Sequence, residues 1–458
     1  MAEQLGQYQK ANKFQVKLEQ LHNKKAMRSK HRGRVLMNIG NRLNYLQQTK
    51  NCIAPDFQHG PILEKEWEAI LQGQLPLSGE QAAYLAEQWN LPVDYLVDYD
   101  ATDIAIHREL QRIQHELLTN DDKAKQRLVQ LGGTYAIPSI MQETIFKLLQ
   151  AVNYYKINQP KDAEEIEEGY LSFMLPGFNV LKEIGVFQKA LFYYYGFKYY
   201  YEGEKEESFS YFERILEKTQ DTEEVISLMQ NLSLIAKDSK EYDCAINYMN
   251  RLETFSSEHG SNRGLAIAWN YLGVLYLLKK NYPTAIQYFE KMKTLELNPL
   301  MQSRMYHNLG VLYGEKQYYH EAIKMFSKSK KVKESNQMTE DLFLSYHALA
   351  RNYFLTGQPA EAKHYLTFAQ QTAANEDERS LAKMAEAEMI KASYPKAAID
   401  LYVQAVNYYE KVQFIGELDD LYPTLIRLFE QVGDPAMALE FRQRYQSLHV
   451  DKDESKHA

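Results

Sequence analysis

Residues 268–289 read AWNYLGVLYLLKKNYPTAIQYF, and residues 305–326 read MYHNLGVLYGEKQYYHEAIKMF. Gly273, Tyr276, Ala285 and Phe289 of the first stretch recur as Gly310, Tyr313, Ala322 and Phe326 of the second, every member displaced by 37 positions. The following frame supplies Ala350, Tyr353, Ala362 and Leu366, each 40 further on. Backwards, the set continues through Ser233, Ala236, Ala245 and Met249, then through Gly196, Tyr199, Ser208 and Phe212. Five units in register therefore lie between residues 185 and 375. Weaker ones follow around Ala398 with Tyr402 and around Ala438 with Phe441, and a degenerate one precedes them around Tyr154 and Ala163. Such self-similarity marks an array in which each unit buries its apolar face only against its neighbours.

The residue types carry a packing argument. A glycine or alanine where two helices cross lets their backbones approach, and an aromatic ring fills the groove beside it. In these terms the array resembles the tetratricopeptide repeat, whose W-L-G-Y-A-F signature is matched by Trp269, Leu272, Gly273, Tyr276, Ala285 and Phe289. The family period is about 34 residues, so the longer spacing here requires helices or turns about one turn longer. The resemblance implies a right-handed superhelix with a concave groove lined by the first helix of each unit. Counted from the small residue, the positions two and three before it carry Asn231, Asn270, His307, Asn308 and His347, with Arg351 just after it. An asparagine amide donates and accepts at once, which suits an extended peptide backbone; solvated helix polarity is the bland alternative. The 35 tyrosines, as in FYYYGFKYYYEGE at 192–204, read as inter-helix packing or as recognition surface.

Composition sets the outer bounds. A chain of 458 residues that is 45% hydrophobic and 25% charged is long enough for two or more domains. Cys52 and Cys244 are its two cysteines, so no disulfide framework is expected, in keeping with a reducing cytoplasm. The opening MAEQLGQYQKANKF lacks the apolar core of a signal peptide, and no stretch has the roughly 18 apolar residues of a membrane span. A cytoplasmic protein is expected. The net charge of -8 argues against a surface that coats nucleic acid, yet Lys24, Lys25, Arg28, Lys30, Arg32 and Arg34 fall within eleven residues free of acid. That run reads either as an arm across phosphates or as a solvated tail.

Residues 36–100 have a different texture. NIGNRLNYLQQTKN places Ile39, Leu43 and Leu46 at helical spacing. Pro61 is placed to open a helix that Gly73 ends, Ser78 caps SGEQAAYLAEQWN, and LPVDYLVDY supplies a last helix. The order IGNRL, QHGPI, ILQGQ, PLSGEQAAYLA, LPVDYL resembles the lambda-repressor-like helix-turn-helix domain. The departure lies at the centre. The segment that should enter the major groove reads Glu64, Lys65, Glu66, Trp67, Glu68, Ala69, with three carboxylates facing phosphate. Trp67 is expected to pack inward, leaving Lys65 as the cationic reader, with Arg28, Lys30, Arg32, Arg34 and Arg42 as phosphate contacts. The alternative is a module that has lost DNA binding and contacts protein.

Between residues 100 and 180 the chain reads as helical, with HRELQRIQHELL from His107 as a linker helix and a turn around Pro176 and Gly177. His107 and His115 share a face eight positions apart, but no third ligand at tight spacing accompanies them, so no metal is expected. Phosphate loops, dinucleotide fingerprints, H-E-x-x-H and G-x-S-x-G are absent from the sequence. No catalytic residue and no cofactor is therefore assigned.

A repressor-like bundle, a linker helix and a long repeat array together resemble the cytoplasmic peptide-pheromone receptors of Gram-positive bacteria, the superfamily of NprR, PlcR and Rap proteins. The resemblance implies an all-α chain: a basic arm at 1–35, a helix-turn-helix-like domain at 36–100, a linker helix and degenerate repeat at 101–180, a solenoid at 181–448 and a disordered tail at 449–458. It further implies a homodimeric quorum-sensing transcriptional regulator that binds double-stranded DNA, whose groove takes a signalling oligopeptide. The alternative is a Rap-like module that sequesters a response regulator or another protein without touching DNA.

Overall fold

The computed structural model describes residues 37–134, 136–176, 185–339, 342–412 and 415–454. Among them there are helices and turns and no strand. The chain divides into two compact units, residues 1–264 and 265–458.

The first unit opens with α1 (Ile39–Thr49), α2 (Glu64–Leu71), α3 (Gly79–Trp89) and α4 (Asp94–Val97). Asn38 and Ser78 cap α1 and α3, each with a reciprocal bond from the third helical residue, Asn41 and Gln81. Leu43, Ile62, Trp67, Ile70, Leu85 and Leu96 form the core of this bundle, and Trp67 meets Trp89 edge-on with centroids 6.3 Å apart. Gly40 is required by packing: a Cβ there would lie 2.5 Å from the Ile70 carbonyl oxygen. One expectation changes. Pro61 does not open α2, which begins three residues later at Glu64 after Leu63. Residues 50–63, between α1 and α2, contain turns at 57–59 and no helix.

The chain continues through α5 (Ile104–Thr119), α6 (Asp121–Thr134), α7 (Ile140–Lys156) and α8 (Pro160–Ile166), the last extended by a π turn at Glu167–Leu171. The repeats proper begin with α9 (Gly185–Tyr201), α10 (Lys205–Leu216), α11 (Thr222–Asp238) and α12 (Tyr242–Glu258). Helix α13 (Asn262–Leu278) crosses from the first unit into the second. There the hairpins continue as α14 (Tyr282–Met292), α15 (Pro299–Glu315), α16 (Tyr319–Ser335), α17 (Leu342–Leu355) and α18 (Pro359–Thr372). The array closes with α19 (Glu376–Ile390), α20 (Pro395–Lys411), α21 (Ile415–Gln431) and α22 (Pro435–Glu454). Residues 449–454, expected as a tail, continue α22.

The repeat frame sits where the spacing predicts. Phe212, Phe289 and Phe326 are buried against Gly196, Gly273 and Gly310 of the partner helix. A Cβ at Gly310 would come 2.7 Å from the Phe326 ring, nearer than real Cβ atoms approach. Where serine replaces a small residue its hydroxyl is satisfied across the hairpin: Ser208 donates to the Gly196 carbonyl at 2.7 Å and Ser233 to that of Ala245 at 3.2 Å. Tyrosines stack across the same hairpins, Tyr199 on Tyr211, Tyr276 on Tyr288 and Tyr353 on Tyr365, with centroids 5.8, 5.8 and 5.4 Å apart. These rings are packing elements. The turn between the helices also repeats: Gly203, Lys240, Lys280, Gln317 and Gly357, each seven residues past the small residue, all take a left-handed backbone, with φ of 82°, 61°, 56°, 61° and 73°.

Candidate functional site

In the second unit, α13, α15 and α17 carry the polar positions singled out in the sequence. Asn270, buried on α13, accepts at Oδ1 from Asn308 Nδ2 of α15 at 2.9 Å. The repeat makes this bond possible, since two successive first helices present side chains at matching heights. The bond leaves Asn270 its amide donors and Asn308 its carbonyl acceptor, the complementary groups a peptide backbone needs. His307, one residue before Asn308, lays its ring edge-on to Phe326 at 5.2 Å, and its Nδ1 is buried without a hydrogen-bond partner. On α17, His347 stacks on Phe343 at 5.7 Å. Burial first, and then the positive neighbours, hold both imidazoles neutral: Lys333 and His347 for His307, Arg351 for His347, each pushed down to about 4. Arg351 is exposed one turn beyond His347.

Two buried polar residues of α16 and α17 were not singled out in the sequence. Lys333 of α16 is 5% exposed and donates to Ser345 Oγ at 3.1 Å. A lysine within the run SKSKKVK reads as solvated, so the sequence carries no signal that this one is inside. Asn352 of α17 donates to its own Ala348 carbonyl at 2.8 Å and leaves Oδ1 buried without a partner. Asn231 lies half-buried on α11 of the first unit.

The expected DNA-contacting residues fare differently. Arg28, Lys30, Arg32 and Arg34 lie outside the described residues. Lys65 is exposed on α2 beside the exposed Glu64 and Glu68, and Trp67 is buried as expected. Arg42 must be corrected: its side chain is fully buried, and its guanidinium is consumed inside the first unit. It donates to the Tyr95 carbonyl at 2.6 Å, to the Ile137 carbonyl at 3.2 Å, to the Pro138 carbonyl and to Glu143 Oε2 at 2.8 Å, and it lies 3.9 Å over the Tyr95 ring. Tyr95 and Tyr170 also donate to Glu143, each at 2.8 Å. Burial and the Glu143 carboxylate raise both phenols, so they remain protonated donors at neutral pH. Arg42 fastens α1 to α7 and is not available to phosphate.

His115 lies 3.4 Å from Glu224 and 3.8 Å from Asp221. Among the described residues no group of three or more His, Cys, Asp or Glu is placed to hold a metal ion. Among them, too, no helix is long and apolar enough to cross a membrane.

The stacked hairpins define an all-α protein of the tetratricopeptide-repeat class of fold. A tetratricopeptide-repeat family profile matches residues 303–336, the hairpin of α15 and α16. No curated protein matches the chain in sequence. Among solved structures, the chain is similar to the apo form of the quorum sensor NprR from B. thuringiensis, at 17% identity over 75% of this chain and 99% of that one, with a TM-score of 0.56. It is similar to a Rap protein complexed with competence and sporulation factor, at 13% identity over 76% and 99% with a TM-score of 0.55. The apo form of RapI resembles it at 13% identity over the same shares, with a TM-score of 0.51. At such identities the likeness is one of fold.

Proposed function

We propose that this chain is a peptide-responsive regulator whose repeat face on α13, α15 and α17 binds a signalling oligopeptide in extended form. The observation that carries the reading is the Asn308–Asn270 bond, which joins two amides on successive first helices and leaves the Asn270 amide donors and the Asn308 carbonyl for a ligand. The fold likeness to a Rap protein solved with competence and sporulation factor, and to the quorum sensor NprR, supports it. A repeat array bends through many small inter-repeat rotations. A ligand that prefers one curvature shifts the population by its differential affinity.

For the output two readings are kept. In the first, the protein is a homodimeric transcriptional regulator, and Arg28, Lys30, Arg32 and Arg34 contact the phosphates of double-stranded DNA. In the second, the amino-terminal bundle contacts a protein such as a response regulator. The second is favoured by two features: the acidic exposed face of α2 and the burial of Arg42. Binding to promoter-containing DNA fragments across a salt series separates them. DNA affinity that falls steeply with salt and is abolished by replacing Arg28, Lys30, Arg32 and Arg34 together by Ala supports the first reading. Salt-insensitive or undetectable binding supports the second.

A further inference from the structure

The π turn at Glu167–Leu171 belongs to two polar networks at once. On one side, the Glu167 carboxylate accepts from Tyr155 of α7 at 2.5 Å and from Lys198 and Tyr194 of α9, the helix that begins the repeats proper. On the other side, Tyr170 is buried and donates to Glu143 Oε2 at 2.8 Å. The same oxygen takes Arg42 Nη2 from α1 at 2.8 Å. Helix α1 grips the turn at two further points. Tyr45 meets the Tyr170 ring edge-on at 5.0 Å, and Asn41 Nδ2 donates to the Phe173 carbonyl just beyond the turn at 2.9 Å.

Residues three apart on an α-helix share one face, so an α-helical continuation of α8 would turn Glu167 and Tyr170 towards the same neighbour. The wider π turn separates them, and Glu167 reaches α9 while Tyr170 reaches the network of α1. Such turns occur mostly singly inside α-helices, frequently at functional sites. The contacts also differ from those of a mobile domain boundary. Interfaces between domains of one chain are usually polar and let the domains move, whereas Arg42 is fully buried. Swinging the bundle away would strand its guanidinium and the Glu143 carboxylate, a costly separation of a buried pair. The backbone N–H of Ile140 further donates to the Tyr99 carbonyl at 2.9 Å and ties the end of the bundle to the start of α7.

We infer that the amino-terminal bundle is a fixed extension of the first repeats and not a hinged module, and that the π turn is the joint that fixes it, with Glu167 holding the repeat side and Tyr170 the bundle side. The joint is present with or without a peptide, so it stands apart from the peptide-binding reading and serves both output readings alike. Whatever the bundle contacts, DNA or protein, it meets in an orientation set by α7 and α9. Loosening the hold of α9 on Glu167 loosens α1 as well.

Pulsed electron paramagnetic resonance on the full-length chain without peptide tests this. Spin labels are attached at Gln88→Cys on α3 and Asn250→Cys on α12, both exposed positions, with Cys52→Ser and Cys244→Ala removing the native thiols. A single narrow distance between the labels is expected, and a broad or multiple distribution in this parent overturns the fixed bundle. Glu167→Ala and Tyr170→Phe should each broaden the distribution while circular dichroism keeps its helical signal, and Lys198→Met replaces Glu167→Ala if that variant does not fold. Glu168→Ala, on the exposed neighbouring side chain, should leave the distance as it is. Narrow distributions in both the repeat-side and bundle-side variants would show that the π turn is not the joint. Equal broadening in Glu168→Ala would also remove that role from Glu167 and Tyr170.

Discussion

Asn308 donates from Nδ2 to Asn270 Oδ1 at 2.9 Å, from the first helix of one repeat to the first helix of the repeat before it. The two side chains thus order one another, which lowers the side-chain entropy that ordering them around a ligand would cost. Asn270→Ala and Asn308→Ala should each weaken peptide binding by about 1 kcal/mol or more without loss of helicity. Because they share a bond, the double variant should show a coupling of at least roughly 0.5 kcal/mol. Calorimetry with a hexapeptide selected from a randomised pool measures both, and strictly additive losses would show that the pair does not act as a unit.

Arg42 and Glu143 are 2.8 Å apart in a buried network that also takes the phenols of Tyr95 and Tyr170. Removing one charge strands the other in the interior. Arg42→Ala should therefore cost about 3–5 kcal/mol, read as a lowered urea midpoint, and Glu143→Gln should also be destabilising. A loss below about 0.5 kcal/mol would mean that the side chain is solvated, as the sequence alone suggests.

His307 and His347 are each held down to about 4, against an ordinary value of 6.5, first by burial and then by positive neighbours. The unfolded chain therefore binds protons between pH 6.5 and 4 that the folded chain does not. Stability from these two residues is full above the unfolded value and falls as pH drops through that window. Urea midpoints measured from pH 7 to 4.5 should decline, and His307→Gln with His347→Gln should flatten the slope. Imidazole resonances titrating near 6.5 in the native protein would contradict this.

Gly310 faces the Phe326 ring so closely that an added Cβ would lie 2.7 Å from it. Gly310→Ala should destabilise by about 1–3 kcal/mol through overpacking, and Phe326→Leu in the same chain should recover part of the loss. Conversely, Gln317 sits in a left-handed turn at φ 61°, where a side chain is strained. Gln317→Gly should stabilise by about 0.5–1 kcal/mol. Both are read from thermal unfolding followed by circular dichroism.

The repeat was legible because its cause is local. Gly273 with Phe289 and Gly310 with Phe326 must meet across a hairpin, so residue type and spacing carry the geometry together. The turns between those helices were not, since Gly203, Lys240, Lys280, Gln317 and Gly357 share a backbone conformation and not a residue type. Arg42 was misread as a phosphate contact because its partners Ile137, Pro138 and Glu143 lie about a hundred positions away. Nothing near it in sequence announces the burial. The positions of His307, Asn308, His347 and Arg351 on their helices follow from the repeat frame, whereas the burial of Lys333 and Asn352 has no signal in the sequence. One lies on a second helix within a basic run, and the other is directed by its bond to Ala348.

The central claim, that one face of the repeat array receives a peptide, is tested most directly by hydrogen–deuterium exchange of the full chain with and without a selected hexapeptide. Protection concentrated in 262–278, 299–315 and 342–355, and lost in Asn308→Ala, is the predicted result. Protection confined to residues 37–100, or no change anywhere on saturation with that hexapeptide, would contradict it.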